Sequence, residues 1–221
     1  MIPIKDDIPS STFPYVTISI IVLNIMVFVY ELSLGPVIGE GFIYRTAVIP
    51  YEIVNLMDID PVSVLPPPFT LLSGMFVHSG FFHVAGNMLF LWIFGDNVED
   101  ALGHIGYLVF YLSTGVIASL AHIYTEPDSY MPMIGASGAV AGVLGAYILL
   151  YPRARVKTLV FLFLFVTVAR VPAVVFLGLW FLLQVVSSGG GGGVAWYAHI
   201  GGFVAGMAVV ALLGPARLRG R

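Results

Sequence analysis

From Tyr15 to Leu34 the chain runs apolar for about the 20 residues a helix needs to cross a bilayer, and comparable runs recur to its end. Hydropathy and breaker residues divide it into six spans, about 15–34, 70–94, 104–124, 136–151, 171–187 and 194–214, within one domain, 1–221. With 59% hydrophobic and only 10% charged residues, the composition is that of a polytopic membrane protein. The fold class expected is therefore an all-α membrane protein, a bundle of six transmembrane helices. Lys5, Asp6 and Asp7 lead into the first run, which is expected to stay as a helix and not be removed as a signal peptide.

The connections carry their own signals. The longest, 35–68, is rich in glycine and proline, Pro61 among them, yet holds Phe42, Ile43, Val48 and Ile49. It is expected to be structured and half-immersed at the outer interface between helices 1 and 2. Gly189 to Gly193 reads as a flexible link. Lys5, Arg153, Arg155, Lys157, Arg217, Arg219 and Arg221 fall on one side of the six-helix scheme and Arg45 alone on the other, so both termini are expected in the cytoplasm. "GDNVEDALG", 95–103, reads as an acidic connection on that side. Thr158 to Ser188 is apolar for too long to be one span, and Arg170 and Pro172 split it. The segment 158–169 is thus expected as an interfacial or extended excursion, one long tilted helix being the alternative.

Composition also excludes chemistry. The absence of cysteine removes disulfides, thiolate catalysis and Cys-ligated metal, and a net charge of −3 implies no nucleic-acid partner. The lipid bilayer is the evident partner. No metal is expected, since there is no HExxH, and His78 and His83 would point about 140° apart on a helix. A haem held by His83 and His199 is a weaker alternative; no cofactor is expected.

Four polar residues share a depth. Ser137 lies 15 residues before Pro152 and His199 16 before Pro215, so each sits ~22–24 Å from the inner end of its helix. His83, counted from Asp96, joins that level, with Asn87 one turn below on the same face. A serine among glycines is ordinarily a packing residue, and a lone histidine or asparagine is often interhelical glue. A nucleophile, a base and two donors at one level point instead to a site. Gly138 and Gly142 on the fourth span, and Gly202 and Gly206 on the sixth, allow the close approach that brings Ser137 to His199. No acidic residue is placed to orient the imidazole, so the reading is a dyad. Phe176, Trp180 and Phe181 on the fifth span, beside the glycine link, read as a mobile gate.

"GASG" at 135–138, "AHIGGFVAG" at 198–206, "HSGFFHVAGN" at 78–87 and "GDNVEDALG" at 95–103 together resemble the rhomboid family of intramembrane serine proteases. The resemblance implies a cavity open to the outside, with Ser137 as nucleophile, His199 as general base, and His83 and Asn87 helping to stabilise the oxyanion beside the Ser137 backbone. It implies no cofactor, and single-span membrane proteins as substrates, cut near their outer end in a locally unwound stretch after a small residue. The implied location is the cell (inner) membrane. Two positions depart from the pattern: Ala141 stands where many rhomboids have an aromatic against the histidine, leaving Tyr147 or Tyr197 to take that role, and the first outer loop has Tyr44-Arg45 in place of Trp-Arg. A rhomboid-like protein that binds or escorts membrane clients without cleaving them is the alternative function.

Overall fold

The structure, a computed structural model, describes residues 1–59, 62–162, 165–190 and 193–219. Pro61, Gly191, Gly192, Arg221 and positions 163 and 164 of the apolar excursion lie outside them. A short strand, β1 (Ile2–Lys5), precedes the first long helix, α1 (Tyr15–Ser33). Three short helices follow, α2 (Gly35–Thr46), α3 (Pro50–Asn55) and α4 (Pro67–Ser73), each with a proline in its first turn, where its missing N–H is not needed. After the turn Gly74–Phe76 come α5 (Phe81–Leu102), α6 (His104–Thr125) and α7 (Ser137–Leu150). A hairpin of β2 (Arg155–Leu162) and β3 (Phe165–Pro172) leads to α8 (Ala173–Ser187), α9 (Trp196–Leu213) and α10 (Pro215–Arg219).

At the centre stands α7, apolar on every side and buried from Gly138 to Tyr147, as a helix without a polar face must be. It packs against α5, α6, α8 and α9. Contact with α9 is at backbone distance: a methyl at Gly202 would overlap the carbonyl oxygen of Gly138, and one at Gly206 that of Gly142. On its other side α7 meets α6, where a Cβ on Gly138 would lie 2.7 Å from Ala118 Cβ and one on Gly142 2.5 Å from Thr114 Oγ1. The small residues singled out in the sequence therefore serve two neighbours at once.

Helices α1, α6 and α9 are long and apolar enough to cross a membrane, and α4 with its turn and α5 qualify together as a pair bent by 82°. The remaining two apolar helices, α7 and α8, are shorter, at 14 and 15 residues. The helices follow the expected segments in order, with two differences. The second is not continuous from 70 to 94; it breaks at 77–80 and resumes as α5 through Leu102, so most of the acidic stretch 95–103 is helical. Two of its three acids, Glu99 and Asp100, bind the chain at the start of α1. Buried Glu99 accepts hydrogen bonds from the Val16 and Thr17 amides (2.9 and 2.8 Å) and the Thr17 hydroxyl (2.7 Å), supplying the otherwise unpaired N-terminus of α1. Asp100 takes the amide and hydroxyl of both Ser11 and Thr12. Gly103, at φ +72°, ends the helix where other residues are strained.

The second difference is a sheet added to the helical bundle. Of the excursion 158–169, residues 158–162 and 165–169 are extended and not helical, and β2 pairs antiparallel with both β3 and β1. Val156, Val160, Val166, Thr167, Val168 and Val171 are β-branched and suit a strand as well as a membrane, which is why hydropathy alone does not separate the two.

Candidate active site

Ser137 owes its position to the chain before it. Val48 and Met133 exchange backbone hydrogen bonds (3.0 and 2.8 Å), the Gly135 amide donates to the Gly74 carbonyl (2.8 Å), and the Ala136 amide approaches His78 Nε2 at 3.5 Å. Gly135 adopts φ +109°, open only to glycine at low cost. The chain turns there and enters α7 at Ser137, whose side chain faces a cavity of about 860 Å³. His199, Gln184, Asn87, His83 and Trp180 line the same cavity.

His199 Nε2 lies 2.8 Å from Ser137 Oγ, and His199 Nδ1 lies 2.8 Å from Gln184 Oε1. The proton positions follow from the far end of the chain of contacts. Gln184 Nε2 donates to the Trp180 carbonyl (3.0 Å), an acceptor only, so the carboxamide oxygen must face His199. Nδ1 then carries the proton, and Nε2 is the acceptor for the serine hydroxyl. Both imidazole nitrogens are thus engaged. Two rings flank the imidazole: Trp180 at 6.1 Å and Trp196 edge-on at 6.0 Å. Neither tyrosine considered from sequence takes this place. Tyr147 bonds Asp6, and Tyr197 lies against His122.

His83 and Asn87, four apart on α5, converge on Gly135, where a Cβ would come within 2.6 Å of His83 Nε2 and 3.6 Å of Asn87 Nδ2. The buried amide nitrogen of Asn87 has no hydrogen-bond partner among the described residues. A buried donor left in that condition costs free energy unless an acceptor arrives. His83 Nδ1 is 3.1 Å from Ser79 Oγ. His78 is fully buried, its ring 5.0 Å from that of His83. The helical-wheel separation of the two does not apply, because His78 lies in the break before α5. Among the described residues no group of three or more His, Cys, Asp or Glu could hold a metal.

The three aromatic residues of α8 point into the bundle. Phe176 is buried against Phe90 and Phe94, Trp180 lies between His199 and Phe203, and Phe181 stacks on Phe203 at 4.6 Å. The exposed apolar side of α8 is instead formed by Val174, Leu179, Leu182 and Val186. Gln184 is the residue that sequence reasoning passed over. Its signal was available, as a lone carboxamide in an otherwise apolar helix one turn beyond Trp180.

A helical membrane protein with a polar cavity in its core is the class these features define. The Rhomboid domain model matches residues 67–216, and the chain belongs to the rhomboid family. It is 31% identical over 149 residues to rhomboid protein 1, mitochondrial, of Saccharomyces cerevisiae, covering 62% of this chain and 40% of that protein. To rhomboid protease GluP of Bacillus subtilis it is 35% identical over 144 residues, 65% of this chain and 26% of that one. The human presenilin-associated rhomboid-like protein, mitochondrial, is 36% identical over 87 residues, 38% of this chain and 23% of its own length. The chain thus covers well under half of each of these relatives, and α1 precedes the region of the family match. Family and apolar helices together make this an integral membrane protein.

Proposed function

We propose that the protein is an intramembrane serine endopeptidase that cuts single-span membrane proteins near the outer face of the cell membrane, with both termini in the cytoplasm. The observation that carries this reading is the relay from Gln184 through His199 to Ser137, which leaves Nε2 free to accept the hydroxyl proton. In the reaction Ser137 Oγ attacks the scissile carbonyl carbon as its proton passes to Nε2. The resulting imidazolium donates through Nδ1 to the Gln184 carbonyl and returns the other proton to the leaving amine. Water then hydrolyses the acyl-enzyme by the same proton path in reverse. The carbonyl oxygen, as it gains charge, meets the first N–H groups of α7, the unpartnered Asn87 amide and His83, each donor contributing about 2–4 kcal/mol. A continuous substrate helix hides its carbonyls in its own hydrogen bonds, so a locally unwound stretch with a small residue before the bond is the form that fits.

Labelling by a fluorophosphonate probe tests the reading together with cleavage of a reconstituted single-span substrate. Both are expected to disappear in Ser137→Ala and His199→Ala, and the double variant should lose no more than either single one, since the two groups act as a unit. Cleavage retained in Ser137→Ala would sink the mechanism. A well-folded wild-type protein that neither labels nor cleaves, yet retains membrane clients, would be an escort protein.

A further inference from the structure

At the end of the bundle away from the cavity, the pairing of β1, β2 and β3 sets Lys5 opposite Lys157 and Lys157 opposite Arg170. Directly opposed residues project to one face, so three cations form a single row across the sheet, about 4.8 Å from one to the next. All three are exposed, and so is Arg155, two residues along on the same face. The next rows on that face are apolar: Ile2, Leu159 and Val168, then Phe161 and Val166. Of these, Phe161, Val166 and Val168 are 54%, 60% and 49% exposed, whereas Val156 and Thr158 on the opposite face are fully buried against the bundle.

Like charges placed directly opposite one another destabilise a sheet. No carboxylate offsets them among the described residues. The nearest in sequence, Asp6 and Asp7, bond the Tyr147 hydroxyl and the Arg155 amide. Lysine often guards an edge strand against pairing, but Lys157 lies on the central strand of the three. The row is also held at a fixed height. Arg170 is three residues before the first residue of α8, about 10 Å of extended chain from an apolar helix in the membrane.

We propose that this face of the sheet binds anionic phospholipids of the leaflet on the termini side, with Lys5, Lys157 and Arg170 on the phosphates and Leu159, Phe161, Val166 and Val168 in the acyl boundary beneath. A basic row beside exposed apolar rows, spliced between two membrane helices, matches a charged lipid surface in both chemistry and depth. The inference does not depend on the protein's being a protease.

The chain has no cysteine, so a nitroxide on Val168→Cys reports this face alone. The full-length protein would be reconstituted in phosphatidylcholine with or without phosphatidylglycerol. Phosphatidylglycerol is expected to raise the label's collisions with lipid-dissolved oxygen and lower those with an aqueous nickel chelate. Carrying Lys5→Gln, Lys157→Gln and Arg170→Gln together should abolish that response, and retention of phosphatidylglycerol in native mass spectra should weaken about fivefold for each cation replaced. Removal of mutual repulsion should leave the melting temperature no lower; should the triple variant melt early, Lys157→Gln alone carries the test. A label open to the chelate whatever the lipid would overturn the proposal. So would shielding from both reagents, which marks a protein surface such as a second copy, or loss of the response to inorganic phosphate, which marks a site for free anions.

Discussion

Gln184 gives the imidazole a neutral partner where the familiar hydrolytic triad has a carboxylate. A carboxamide fixes ring orientation and tautomer, but offers the imidazolium only a dipole, so its contribution is mainly geometric. Gln184→Ala is expected to lower kcat about 10–100-fold with KM and melting temperature little changed, as a misplaced base would. A parallel rise in KM, or a large fall in melting temperature, would instead make it a packing residue. Asn87 differs in that, in the proposed mechanism, it touches the reacting oxygen. With α7 amides and His83 still present, Asn87→Ala should cost roughly 10²–10³ in turnover while probe labelling slows without stopping. That Ser137, His199, His83 and Asn87 gather around one cavity was legible in the sequence, because intramembrane polarity is expensive and theirs falls at one level. Gln184 was missed because the search for an orienting group considered only acids.

Elements show where apolarity stops being informative. The close seam between α7 and α9 was legible from glycine spacing, since only absent side chains permit it. Gly202→Val would push Gly138 and the start of α7 away from α9, and with them Ser137 from His199. Near-complete loss of cleavage is expected, with a lower melting temperature in detergent; an active, stable Gly202→Val enzyme would falsify this account of the seam. Strand β1 and the end of the second helix were not legible, because both depend on partners more than 80 residues away. The Asp6 carboxyl illustrates this: burial raises its pKa above the ordinary 3.8, its bond to Tyr147 and the charge of Asp7 acting as smaller, opposed influences. The folded chain therefore holds this proton more tightly than the unfolded one, and the stability it confers is complete below pH 3.8 and is lost as pH rises through the folded value. Across that window the wild type should lose melting temperature relative to Asp6→Asn, and above it their difference should be constant. Parallel profiles throughout would show that Asp6 is not held in this way.

In the whole molecule the cavity and the sheet lie at opposite ends, and α8 links them, reaching from Pro172 of the hairpin to the loops around the site. The proposal of α8 as the entry gate now singles out Phe181. Trp180 lies beside the base, so Trp180→Ala should depress cleavage of every substrate, whereas Phe181→Ala loosens only the stack on Phe203. Phe181→Ala is expected to raise cleavage of a membrane-embedded substrate severalfold and of a water-soluble one much less; equal changes would place entry elsewhere. The cap that Glu99 places on α1 governs a different event, the order of assembly. Thr17 and Glu99 are 82 residues apart, so at roughly 5–20 residues per second the ribosome needs several seconds to deliver the partner after the first helix has left it. Until then the leading amides of α1 lack this partner. Helix α1 is thus capped only once α5 has been made, and β1 waits longer still, because its partner strand β2 is synthesised after α7, the helix that begins at Ser137.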